Sequence, residues 1–310
     1  MEKILFSEAI DGLVADQVVR DFEYSMTSRH FHDTYELYYL LEGERYYFID
    51  KETYLVKQGD VVLVKPNQIH KTSMAENSYH NRILLQIGSA WLNPFLQGNE
   101  FLPLEELYAA NDGIIALSES DRVLFELLLF QLRDELQGRR GNYGLMVKLK
   151  LTELLIVLSR YKKTAVFERE NQKVQTTKHQ KVHEVADYLL THAETAESLE
   201  ELAKRFYISK SYLSRIFREV TGFTVNEYRA VTRIKKAQNL LIHSDYSVTE
   251  ISEILGFESI TYFERVFKKY VDNTPLKYRY LDSHASHRAA SSYCPHAFKD
   301  LLGGQGDECR

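Results

Sequence analysis

SYLSRIFREVTGFTVNEYR, residues 211–229, is answered fifty positions later by TYFERVFKKYVDNTPLKYR, residues 261–279. Six residues recur at matching offsets: Tyr212 and Tyr262, Arg215 and Arg265, Phe217 and Phe267, Thr224 and Thr274, Tyr228 and Tyr278, Arg229 and Arg279. Ile216 against Val266 and Arg218 against Lys268 are mild changes. An element kept twice at a fixed separation points to one task performed at two places.

Each copy sits at the end of the same layout. In SLEELAKRFYISK, Ser198 caps a short helix with Glu201 at the capping-box position. Leu199, Leu202, Ala203 and Phe206 face inward. Ser209 caps the next helix, with Leu213, Ile216 and Phe217 inward and Lys210, Ser211, Ser214, Arg215 and Arg218 outward. The second copy repeats this with Ser247 and Glu250, an apolar side of Val248, Ile251, Ile254 and Leu255, and a Gly256-Phe257 turn one residue longer. Thr261, Glu264, Arg265 and Lys268 lie outward on its second helix, which Phe263, Val266 and Phe267 hold in place. A short helix, a tight turn and a second helix with a basic outer face is the logic of DNA readout. A further helix, VHEVADYLLTH (182–192), precedes the pair. Between the copies TVNEYRAVTRIKKAQNLLIHS reads as one long helix of roughly 19 residues, about 28 Å at the standard rise. A turn of B-DNA rises about 34 Å, so a rod of that length holds two reading heads over neighbouring major-groove segments.

SYLSRIFREVTG, the Arg233–Ala237–Leu240-Leu241 spacing and GFESITYFERVFKKYVDNTPLKYR together resemble the arabinose-regulator (AraC/XylS) family of bacterial transcription regulators over about 181–280. The resemblance implies regulated transcription, activation rather than repression, and RNA polymerase as a partner beside double-stranded DNA. By position it implies base contacts from Ser211, Ser214 and Arg215 in the first copy and from Ile260, Thr261, Glu264 and Arg265 in the second. The chemistry agrees: Arg grips guanine, Glu accepts from cytosine, and Ile and the Thr methyl touch a thymine methyl. Lys210, Arg218, Lys268 and Lys269 suit phosphate, as do the helix N-termini at Ser198 and Ser247. Tyr212, Tyr262, Phe217 and Phe267 read as core. Tyr228, Tyr278, Arg229 and Arg279 read as residues that fix the domain. Where the family commonly has Gly, this chain has Asp272, so the turn there requires a positive φ from Asp, which tolerates it.

The first half has a different texture. Residues 20–90 read as short strands, ELYYLLEG, ERYYFID, KETYLVKQG, DVVLVKPNQ and HNRILLQIG, punctuated by Gly43, Gly59, Pro66-Asn67 and Gly88. Such strands predict a small barrel able to hold a ligand in its mouth. His30, His32, Glu36, Gly43 and, beyond Gly59, His70 are spaced as in the two metal-binding motifs of the cupin family. The second motif departs from that pattern, because Pro66 comes one position late and Gln68 stands in place of Gly. These four side chains are candidates for an effector or a divalent metal; the alternative is a polar rim in a sensor cupin without metal. No cofactor is otherwise called for. SESDRVLFELLLFQLRDELQ (118–137) and YGLMVKLKLTELLIVLSRYKK (143–163) predict an antiparallel helix pair, with Leu124, Leu128 and Leu132 on one face and Leu151, Leu155 and Leu158 on another. Both are apolar over more than one stripe, which predicts a homodimer contact.

The expected fold is therefore α+β. A cupin-like β-barrel with a helix pair (1–163), for effector binding and dimerisation, is followed by a linker (164–180). An all-α DNA-binding domain with two helix-turn-helix motifs (181–282) comes next, then a disordered tail or cloning scar (283–310). The formal charge of −5 gives no global signal for nucleic acid, but from Lys210 to Lys236 seven Lys/Arg face only Glu219 and Glu227. Both cysteines, Cys294 and Cys309, fall in the tail, which argues against disulfides and thiol catalysis. With no apolar leader in MEKILFSEAIDG and no long apolar run, a cytoplasmic protein without membrane contact is expected. The function expected is a non-enzymatic, sequence-specific transcription activator answering to a small molecule, a sugar by analogy. The competing reading is a metal cupin, acting as enzyme or metal sensor, joined to a DNA-binding module.

Overall fold

The computed structural model describes residues 1–24, 32–99, 101–110, 113–160 and 173–285. Its first half is an antiparallel sheet domain. Strands β1 (Glu2–Ile10) and β2 (Leu13–Asp21) form a hairpin, and β2 pairs along its length with β7 (Tyr79–Ile87). The centre is β3 (Tyr35–Ile49), which pairs first with β7 and β5 (Asp60–Val64) and then with β4 (Glu52–Lys57) and β6 (His70–Met74). A short β8 (Gly113–Ala116) extends the β5 edge. ELYYLLEG and ERYYFID are thus one strand, not two. Gly43 bends it without ending it: its φ is +91°, and a Cβ there would lie 2.4 Å from the carbonyl oxygen of Tyr79.

The hairpin of residues 2–21 lies outside the strand region read from sequence. Polar side chains on both of its faces hide the alternation; Asp16 and Arg20 on one face and Gln17 on the other are buried because Arg82, Glu2 and Asn81 meet them. One face of β3, with Leu37, Tyr39 and Leu41, packs on helices; the other, with Tyr38, Leu40, Tyr47 and Ile49, lines the inside of the cup. A register shift between Leu40 and Glu42 moves the inward side from even to odd positions.

Helices α1 (Ser89–Gly98) and α2 (Leu104–Ala110) lead to the predicted antiparallel pair, α3 (Glu119–Gly138) and α4 (Tyr143–Arg160). Ser118 caps α3 by accepting from the Asp121 amide. Leu128, Leu132, Leu151, Leu155 and Leu158 are buried, but Leu124 is exposed, with Val123, Leu127, Leu145 and Leu149. The stretch read as a linker is partly built into the fold: its residues 164–172 lie outside the described residues, but Lys173 bridges to Tyr54, and the Val174 amide donates to the Thr53 carbonyl. The edge of β4 offers unpaired backbone groups, and Thr176 then caps α5 (Thr177–Thr191).

The second half is all α: α6 (Leu199–Arg205), α7 (Lys210–Thr221), α8 (Val225–His243), α9 (Val248–Ile254), α10 (Ile260–Val271) and α11 (Pro275–Ala285). The last runs past the boundary set at 282; residues 286–310, with both cysteines, lie outside the described residues. Among the described residues no helix is long and apolar enough to cross a membrane.

Candidate nucleic-acid interface and effector cup

Helices α6–α7 and α9–α10 are the two helix-turn-helix units, and α8 is the rod between them, 19 residues long. Ser198 with Glu201 and Ser247 with Glu250 form complete capping boxes, and Ser209 and Ser259 cap the recognition helices α7 and α10. These caps fix where each recognition helix begins, and therefore which side chains point out. Lys210, Ser211, Ser214, Arg215 and Arg218 are exposed on α7, and Ile260, Thr261, Glu264, Arg265, Lys268 and Lys269 on α10. Beneath them Leu213, Ile216 and Phe217, and in parallel Phe263, Val266 and Phe267, are buried.

The matched arginines adopt matched poses. The guanidinium of Arg215 stands 5.3 Å from the Tyr212 ring centre, and that of Arg265 5.2 Å from the Tyr262 ring centre. Tyr262 is exposed rather than core, because it supports Arg265 from the surface. Ile254 is exposed as well, since it falls off the helix face that buries Val248, Ile251, Ser252 and Leu255. Ser198 and Ser247 are exposed, but Glu201 accepts from the Ser198 amide at 2.8 Å and Glu250 from the Ser247 amide at 2.7 Å. A carboxylate beside each of these N-termini opposes a phosphate there, so any contact falls to the remaining first-turn amides.

Inside the cup, His32, Glu36 and His70 bring one ligand atom each to within 4.8 Å of one another. Glu36 is buried; its carboxylate accepts from the Tyr47 hydroxyl at 2.7 Å and faces His32 Nε2 at 3.1 Å and His70 Nε2 at 3.5 Å. The Thr34 carbonyl and hydroxyl each lie 3.0 Å from His32 Nδ1 and the Gln68 carbonyl 2.9 Å from His70 Nδ1, which turns Nε2 of both rings to the carboxylate. Burial alone would raise Glu36, but the charge of His70 and the hydrogen bonds from both histidines outweigh it and hold the carboxyl well below the usual range. Burial pulls His70 down, yet the Glu36 charge wins and raises it. Two imidazoles and a carboxylate suit either a charged hydrogen-bonded cluster or a divalent transition metal. His30 lies outside the described residues.

Sequence reading missed the seam between cup and helices. The β3–β4 turn projects Asp50 onto the rod: the Tyr228 hydroxyl donates to the Asp50 carbonyl, and Lys235 meets its carboxylate at 2.9 Å. Gln68 Nε2 donates to the same carboxylate at 3.1 Å, while its carbonyl holds His70. Lys51 pairs with Asp187 on α5 at 2.6 Å. On β6, His70 faces the cup, and the next residue, Lys71, faces out and donates to the Glu219 carbonyl at the end of α7, 2.7 Å away. The only sequence signal was the strand alternation that puts adjacent residues on opposite faces.

A family model described as an AraC-like ligand binding domain matches residues 18–132, and one described as a helix-turn-helix domain matches residues 202–280. The arabinose operon regulatory protein of Escherichia coli (strain K12) is 26% identical over 227 residues, 72% of this chain and 72% of that protein. The HTH-type transcriptional activator RhaR of Salmonella dublin is 25% identical over 277 residues, 87% and 92% of the two chains. Among solved structures, ToxT from Vibrio cholerae covers 87% of this chain and 98% of its own at 15% identity, with a TM-score of 0.35. The DNA-binding domain of AdpA in complex with a target DNA covers 35% of this chain and 96% of its own at 31% identity, with a TM-score of 0.32.

Proposed function

The chain belongs to the arabinose-regulator (AraC/XylS) family of transcription regulators, and from that premise we propose that it is a sequence-specific DNA-binding activator, not an enzyme, controlled by a small sugar-like effector in the cup. The observation that carries this reading is the pair of recognition helices with Arg215 and Arg265 in the same exposed pose at the two ends of one rod. Ser211, Ser214 and Arg215, with Ile260, Thr261, Glu264 and Arg265, read bases; Lys210, Arg218, Lys268 and Lys269 hold phosphates, helped by the helix ends at Ser198 and Ser247. A second copy pairs through the exposed apolar residues of α3 and α4. RNA polymerase is the further partner, and the cytoplasm is the site of action. Effector binding reaches the DNA through the seam, since Glu36, His70, Gln68, Asp50 and Lys235 are linked in sequence from cup to rod.

Base readers and phosphate holders differ in how their loss is felt. Arg265→Ala weakens binding by about 1–3 kcal/mol at one base position and relaxes preference there, whereas Lys269→Ala weakens all sequences alike and flattens the salt dependence. Binding to a randomised duplex library across a salt series separates the two. Uniform loss from both substitutions overturns the assignment of roles.

The second reading rests on the His32, Glu36 and His70 cluster: a divalent metal there makes the cup a metal sensor, or the centre of an enzyme joined to the DNA-binding unit. Stoichiometric metal in the purified protein, lost in His32→Ala, favours it over the sugar reading.

A further inference from the structure

The inner face of the cup carries a cation that no acidic side chain among the described residues balances. Arg45 lies on β3 between Val56 of β4 and Met74 of β6, on the face shared with Tyr47 and Ile49, and is 0% exposed. Its Nη2 donates to the Tyr24 carbonyl at 2.6 Å. Its Nε and Nη1 have no hydrogen-bond acceptor among the described residues. A guanidinium keeps its charge in a protein, so burying one with N–H groups unused is costly and rare.

The acids on the surrounding strands are already engaged. Glu2 meets Arg20 at 2.9 Å, Asp16 pairs with Arg82, and Glu36 is matched by His32 and His70. Arg20 adds to the positive side: its guanidinium lies 3.9 Å from the Tyr24 ring centre, with Arg45 at 5.9 Å from the same ring. His80 registers that field: burial first, then Arg45 and Arg20, push it down to about 4 despite the Ser78 carbonyl. Tyr38 borders both regions, since it feels Arg45, Arg20 and Glu36 and packs edge-on to Tyr47. One end of the cup's inner face therefore carries unused cationic donors, and the other carries hydrogen-bonding groups around Glu36.

We propose that the effector carries a carboxylate anchored by Arg45, so that the sugar-like ligand of the reading above, on which this inference rests, is a sugar acid rather than a neutral sugar. A carboxylate supplies the missing acceptors and the missing charge together, while a hydroxyl supplies only acceptors.

The test uses the full chain in thermal-shift and calorimetric titrations with D-gluconate and D-galacturonate against D-glucose and D-galactose. The acids raise the melting temperature and the neutral sugars do not. Arg45→Gln removes the shift and weakens binding by about tenfold or more, as loss of a charge-assisted hydrogen bond does. Without ligand, that variant melts no lower than the parent, because it discards an unpaired charge. Equal stabilisation by the neutral sugars, no stabilisation by either acid, or acid binding untouched in Arg45→Gln each overturns the proposal. Binding of the same preparations to mixed-sequence duplex DNA at low salt is the control: if it is intact, only the acid assignment has failed; if it is absent, the regulator reading has failed with it.

Discussion

In the first helix-turn-helix unit, Phe48 and Ile69 of the cup join Leu213, Phe217 and Tyr228 in one core, whereas the second closes its core around Phe263 and Phe267 with no residue of the cup. Lys71 and Asp50 add polar ties to α7 and α8 that α9 and α10 lack among the bonds described. The units meet through Arg233, whose guanidinium reaches the carbonyls of Ala193 at 2.6 Å, Thr195 at 3.3 Å and Gly256 at 2.7 Å. Two units with the same layout thus stand in different mechanical positions. A change in the cup bears directly on the first and, among the described residues, reaches the second along α8, through Arg233 and through Tyr270, which packs against both cores.

The strongest way to break this asymmetry is Phe48→Ala. Phe48 is buried in the core of the first unit, and a Phe-to-Ala truncation at such a site costs about 3–5 kcal/mol. Amide exchange is expected to show α5–α7 losing protection while α9 and α10 keep theirs. Equal loss in both units would mean that they fold as one body, and the comparison would fail.

A subtler handle is pH. His179, in the first turn of α5, packs against Tyr46 of the cup and has Nδ1 2.7 Å from the Thr176 hydroxyl. Burial, and then Lys178, push it down to about 4, with Glu219 opposing. A histidine depressed in the fold stays neutral there while the unfolded chain takes up a proton near pH 6.5. Its contribution is therefore full above pH 6.5 and is lost as pH falls towards 4. His80 loses stability over the same window, while raised His70 contributes in the opposite sense. The signature of His179 is thus the difference between the parent and His179→Gln: denaturant midpoints measured from pH 7 to pH 4 should fall less steeply in the variant.

The helical half was legible because its signals are local. Serine caps, Glu at the third position, apolar spacing and the repeat itself fix α6–α10 without reference to anything distant. The inside of the cup was only half legible. His32, Glu36 and His70 come together as their spacing suggested, but Tyr47, Arg45 and Asp50 gain meaning only from cross-strand register and the bend at Gly43. The hairpin of residues 2–21 was hidden because it buries polar residues that depend on partners some sixty positions away, as Asp16 does on Arg82.

The smallest effects sharpen the comparison best, because the two units exchange their irregular residues. In the turn between helices the left-handed position is Tyr207, φ +55°, in the first unit and Gly256, φ +68°, in the second. At the end of the recognition helix it is Gly222, φ +81°, in the first and Asp272, φ +55°, in the second. Gly256 is also needed for space, and Gly222 sits in close contact. A Cβ on Gly256 would lie 2.3 Å from the Glu194 carbonyl oxygen, and one on Gly222 would lie 3.0 Å from the Lys71 side chain that crosses from the cup. Tyr207 is 93% exposed, so it gives up little packing on removal. Tyr207→Gly is therefore expected to stabilise by about 1 kcal/mol by releasing left-handed strain. Asp272→Gly is expected to gain less, about 0.5 kcal/mol or below, because Asp tolerates that conformation better than an aromatic residue. Denaturant titration of the two variants checks the order. If Asp272→Gly gained more than Tyr207→Gly, side-chain interactions rather than backbone strain would govern these two positions.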